Sequence, residues 1–245
     1  MDVAQVKQLL AALSGGPPPA TSPFARGSVF DTAKFEALTD EAKCELAKFF
    51  VLDSCPRIGS FASNGDAGYF LGSVAAELNR WPQGSDISSR RLQHVAFAVS
   101  HSLAFVSPQG ALSATYLLHQ LEFLFRALSG ALTLEGVFIS HAAKAAVENG
   151  LGRKMGGRVN DIVDTYEIMR LNTAFLAPRL FAELDAQLSP SSVAGGQVLT
   201  HIGQRIGYLR HPVSHGPLAD PSSEGAFYAL LVAIAIYGSS LFPRV

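Results

Sequence analysis

Residues 225–242, GAFYALLVAIAIYGSSLF, are apolar on every side of any helix they form. Such a run has two stable homes: the hydrocarbon of a membrane, or the interior of a protein that encloses it. Gly238, Ser239 and Ser240 weaken its end, only Arg244 of the charged residues follows it, and no second span of this kind exists. A buried core helix is therefore predicted, with no membrane partner.

The rest of the chain is patterned for helices around it. Leu117, Leu121, Leu124 and Leu128 make a stripe of 3.6-residue period within 111–130, closed by Gly130 as a C-cap. Residues 4–13 read as a short amphipathic helix, and 14–23, SGGPPPATSP, as a linker. Helices are predicted over 39–55 with Thr39 as cap, over 69–81, over 88–106 and around 135–149. Residues 56–68 and 149–158 read as glycine-rich loops. Residues 159–188 carry one or two helices broken near Pro178, 189–196 a loop and 197–210 a helix. Asp220 and Pro221 suit the start of the last helix. Alternating strand patterns are nearly absent. The expected fold is an all-α bundle: residues 1–85 form a helical extension with a Pro/Gly-rich linker, and 86–245 the bundle proper.

The 245 residues carry a net charge of −1, with 16% charged side chains. A bulk electrostatic nucleic-acid binder would show a basic excess, so any phosphate grip must be local. Cys44 and Cys55 lack metal-ligand spacing and suggest a reducing compartment. The first residues lack the basic start of a signal peptide, so a cytoplasmic location is expected. No zinc, calcium or P-loop pattern appears, and no metal or cofactor is predicted.

One segment exceeds what a turn requires. RHPVSHG, 210–216, holds Arg210, His211, Ser214 and His215 at a predicted helix end. Pro212 disfavours helical geometry at His211, which puts Arg210 on the last turn and His215 on the exit loop. In the preceding helix His201 and Arg205 lie one turn apart, and Gly203 and Gly207 suggest close approach of another helix, with a second subunit as one source.

The segment resembles the signature of the HEPN superfamily (higher eukaryotes and prokaryotes nucleotide-binding domains): Arg, a polar residue, two to four residues, then His. Here it reads Arg210, His211, Pro212-Val213-Ser214, His215, with one predicted helix remaining. HQLEFLFRAL, with Glu122 and Arg126, is similar to an early helix of that family. The resemblance implies an all-α bundle, a homodimer with both motifs facing one cleft, and metal-independent cleavage of RNA, single-stranded or tRNA-like. Toxins and phage-defence effectors are the roles it brings to mind.

The chemistry agrees with the residue types. Cleaving RNA through its own 2′-hydroxyl needs a proton acceptor there and a donor at the leaving 5′-oxygen, and histidine serves near neutral pH. A guanidinium can bind the charged phosphorane through two oxygens. His215 is thus expected to transfer the proton, Arg210 to clamp the phosphate, and His211 to orient either. Arg205, which also meets the loose spacing with His211, joins Ser214, Glu122 and Arg126 as substrate-binding candidates. The alternatives are a catalytically inactive HEPN-like module binding a nucleotide or partner protein, and a plain helix stop. In the helix stop, Arg210 would favour the helix dipole and His215 would bond a loop carbonyl.

Four further groups of side chains bear on function. Glu122 either orients a catalytic group across the bundle or pairs with Arg126 along its own helix. Arg153, Lys154 and Arg158 either grip RNA backbone or solubilise a loop. His94 and His101, about 10 Å apart along a helix, are too distant to share a metal and read as core or surface residues. Asp161, Asp164 and Glu167 read as a solvated face. Residues 1–85 are a candidate contact for a regulatory partner.

Overall fold

The computed structural model describes residues 3–16, 29–54, 65–81, 87–102, 108–171, 184, 201–202, 204–206 and 224–239. Its helices are α1 (Val3–Leu13), α2 (Thr32–Glu36), α3 (Asp40–Ser54), α4 (Gly65–Arg80), α5 (Ile87–His101), α6 (Pro108–Ser129), α7 (His141–Leu151), α8 (Ile162–Leu171) and α9 (Gly225–Tyr237). Residues 201–202 and 204–206 are helical as well. The expected all-α class is what the structure shows. Its strands are a two-stranded antiparallel pair, Ser14–Gly16 with Val29–Phe30.

The apolar run becomes α9, and every residue from Gly225 to Tyr237 is buried. It packs chiefly against α6 and α3, with further contact to α4 and α5. Side chains such as Leu230, Leu231 and Ile234 are fully enclosed, each contributing ~1.5–3 kcal/mol. Among the described residues, no helix is long and apolar enough to cross a membrane. One large apolar core joins α1, α3 and α4 to α5, α6, α8 and α9. A smaller cluster, Ala131, Leu132, Val147, Val159 and Ile168, sits under α7.

Helix boundaries follow local chemistry. Thr39 Oγ1 accepts from Ala42 N at 3.2 Å, as expected of a cap. Gly130 has a φ of 63° just past the end of α6, in the left-handed region a C-cap glycine favours. Elsewhere the sequence reading needs correction. Helix α4 begins at Gly65, inside the expected loop, with Asp66 in its first turn, where a carboxylate complements the helix dipole. Helix α6 begins at Pro108 instead of at 111, because proline suits a first helical position. Helix α7 starts only at His141, capped by Ser140, and runs to Leu151 before Gly152 turns it at a φ of 67°. The residues before it form a hydrogen-bonded turn instead, with Thr133 N donating to Val137 O at 2.7 Å. Ser14–Gly16, expected in a linker, is paired backbone.

Gly225 fixes where α9 begins. A Cβ there would lie 2.6 Å from the carbonyl oxygen of Ser102. The first turn of α9 therefore rests directly on the chain leaving α5, and its neighbour Glu224 sits at that junction.

Candidate functional site

Arg210, His211, Ser214 and His215 lie outside the described residues, as do Gly203, Gly207, Asp220, Pro221 and Pro178. Described residues that flank the motif in the sequence form an ionic cluster. Arg205 and His201, upstream, meet Glu224 and Tyr228, downstream.

Glu224 is the hub. Arg205 grips it with both arms: Nε donates to Oε2 at 3.1 Å and Nη2 lies 2.9 Å from Oε1. This is the fork-on-carboxylate geometry that only arginine offers. Tyr228 Oη also donates to Oε2. His201 Nε2 lies 3.3 Å from Oε2 and 3.3 Å from Tyr228 Oη, so an N–H there donates to either oxygen. The His201 ring stacks on Tyr228, with centroids 6.2 Å apart, and meets Phe227 edge-on at 5.8 Å. The side chains of His201, Arg205 and Glu224 retain 12%, 18% and 15% exposure.

Burial alone would raise the Glu224 pKa. The hydrogen bonds from His201 and Tyr228 and the charge of Arg205 outweigh it, and Glu224 titrates below its ordinary value. Burial, then the Glu224 charge, pushes the Tyr228 phenol upward, so it stays a donor. At neutral pH the cluster is an ionised carboxylate held by cationic and neutral donors. It can orient the chain segments that carry these side chains.

Glu122 and Arg126 stand together as an intrahelical ion pair on α6, with 3% and 6% side-chain exposure. Arg126 also donates to Leu134 O at 2.8 Å and to Val159 O at 3.4 Å. Gly136, at a φ of 80°, brings the turn against this guanidinium; a Cβ there would lie 3.2 Å from Arg126 Nε. The pair therefore anchors the turn between α6 and α7.

Arg153 reaches Asp164 and Glu167, Lys154 reaches Glu148 at 3.0 Å, and Arg158 Nε donates to Glu135 O at 2.9 Å. The basic loop is thus pinned to the protein's own acids and carbonyls, and the acidic face of α8 is paired with it. His94 meets Tyr116 edge-on, and His101 stacks on Phe97. His94, Phe97, Leu112 and Tyr116 line an apolar groove of about 450 Å³ between α5 and α6. Among the described residues, no group of three or more His, Cys, Asp or Glu could hold a metal ion.

Sequence reasoning singled out His201 and Arg205 but missed Glu224 and Tyr228. A signal was present. Glu224 and Tyr228 are a polar pair one helical turn apart at the start of an otherwise apolar run, mirroring His201 and Arg205. Their mutual approach depends on how two helices cross, which neither segment encodes locally. A scan against protein-family models, a search of curated proteins and a search of solved structures each found no match to this chain.

Proposed function

We propose that the chain is a metal-independent endoribonuclease of the HEPN type, acting on RNA as a homodimer. The observation that carries the reading is the meeting of Arg205 and His201 with Glu224 and Tyr228. The stretch bearing RHPVSHG starts and ends at this cluster, within an all-α frame and ahead of a long helix. That setting agrees with the position such a motif holds in the family it resembles.

In this mechanism His215 accepts the 2′-hydroxyl proton while the 2′-oxygen attacks phosphorus. The P–O5′ bond breaks as the imidazolium so formed returns that proton to the 5′-oxygen, and a 2′,3′-cyclic phosphate remains. Arg210 binds the non-bridging oxygens as charge builds, and His211 orients them, with Ser214 adding a hydrogen bond. A toxin or phage-defence role rests on family analogy alone.

The test is incubation with labelled RNA in excess chelator. The expected products carry cyclic-phosphate ends, and His215→Ala lowers the rate by about 10²–10⁴-fold with an unchanged melting curve. Undiminished cleavage by that variant would sink the mechanism.

A second reading is a helical module that binds a nucleotide or partner protein without cleaving. It is favoured by the way Arg126, Arg153, Lys154, Arg158 and Arg205 are engaged by internal carboxylates and carbonyls. Binding of RNA or nucleotide with no cleavage by the parent protein would select it.

A further inference from the structure

We infer that Glu224 is a positioning residue, a clamp that fixes the two ends of the stretch 207–223 against each other; its catalytic consequence rests on the endoribonuclease reading above. Two independent features point to this. The first is the bidentate Arg205 contact, which spans nineteen positions of chain and joins helical residues on one side of the motif to α9 on the other. The second is what Glu224 leaves undone. It occupies the N-cap position of α9, yet its side chain makes no capping hydrogen bond. Its backbone is helical, at φ −97° and ψ −5°, and so lacks the extended geometry from which a side chain caps a helix's free amide groups. Instead, both carboxylate oxygens are committed across the junction, to Arg205, His201 and Tyr228.

The junction is also rigid on its far side. Gly225 sets the first turn of α9 hard against the Ser102 carbonyl, and Tyr228 and Phe227 are fully buried. The clamp therefore hangs from a fixed wall, and Arg205 with His201 is drawn to it. A catalytic pair needs placement to within a fraction of an ångström. Tying its two flanks together sets the span that the segment bearing it must bridge.

The experiment is amide hydrogen exchange on the full chain, with RNA cleavage measured alongside. Glu224→Gln keeps the shape but removes the charge-assisted fork; Arg205→Lys keeps the charge but removes the planar geometry. Both are expected to speed exchange about tenfold in peptides covering 207–223 and to leave α4 and α6 unchanged. Turnover should fall about tenfold with little change in KM. Unchanged exchange at 207–223 in both variants would overturn the clamp. So would faster exchange throughout the molecule, or failure of both variants to fold, since either assigns the cluster to global stability. Faster exchange confined to 207–223, in a protein whose parent form cleaves no RNA, would keep the clamp and remove the endoribonuclease reading.

Discussion

At its C-terminal end α9 presents Tyr237 to Glu77, with Oη donating to Oε2 at 2.6 Å, and Lys43 Nζ meets the other oxygen at 2.8 Å. At its N-terminal end it presents Tyr228 to Glu224, gripped by Arg205 and His201. Both ends use a tyrosine, a carboxylate and a cation, but they are built for different purposes. Lys43 is 2% exposed and also lies over the rings of Phe35 and Tyr237, at 5.1 and 5.5 Å. That end ties α3 and α4 to α9 and closes the core. The other end keeps more of its surface in water and joins two stretches of chain flanking the histidine-rich motif. A buried polar triad is costly unless every member is satisfied, so its presence calls for a reason. Closure of the core supplies one at the first end, and placement of a segment supplies it at the second.

The largest expected difference between the ends is in stability. Glu77→Ala strands the Lys43 ammonium and should cost about 3–5 kcal/mol in urea denaturation. The double change Lys43→Met, Glu77→Leu should recover most of that loss. A double variant no more stable than Glu77→Ala would show that the triad does more than neutralise a buried charge. Next come the phenols. Tyr237→Phe should cost about 1 kcal/mol. Tyr228→Phe should cost less, because Arg205 still holds Glu224 on both oxygens; an equal or larger cost would erase the contrast. The smallest effect lies in acid. The Glu224 carboxyl titrates below its ordinary value near 4.5 in the folded chain. Its stabilising contribution is therefore complete above that pH and is lost as pH falls through the lowered value. Stability followed from pH 7 to pH 3 should decline less steeply in Glu224→Gln than in the parent protein. Parallel curves would mean that the carboxylate is no better held folded than unfolded.

Much of the helical scaffold was legible before any coordinates. The stripe of Leu117, Leu121, Leu124 and Leu128 and the unbroken apolarity of 225–237 report burial through composition and period alone. Boundaries were less legible where one residue type serves two ends. Pro108 precedes the helix expected from 111 and opens it, and Gly65 was expected in a loop and starts one. The pairing of Glu122 with Arg126 was one of two readings the spacing allowed. What selected it was the turn at 132–138, which supplies the guanidinium with backbone carbonyl partners and shuts out water.

By itself the sequence determined that the chain is helical, that its last long helix is a core element, and that an Arg–His motif precedes it. Those properties follow from local period and from the cost of exposing apolar surface, and both can be read along a single strand of text. Only the tertiary structure decided that Glu224 meets Arg205 and His201, or that Glu77 meets Lys43. Such partners are set by how helices cross. The crossing is settled by close contacts such as Gly225 on Ser102, which join residues far apart in the chain.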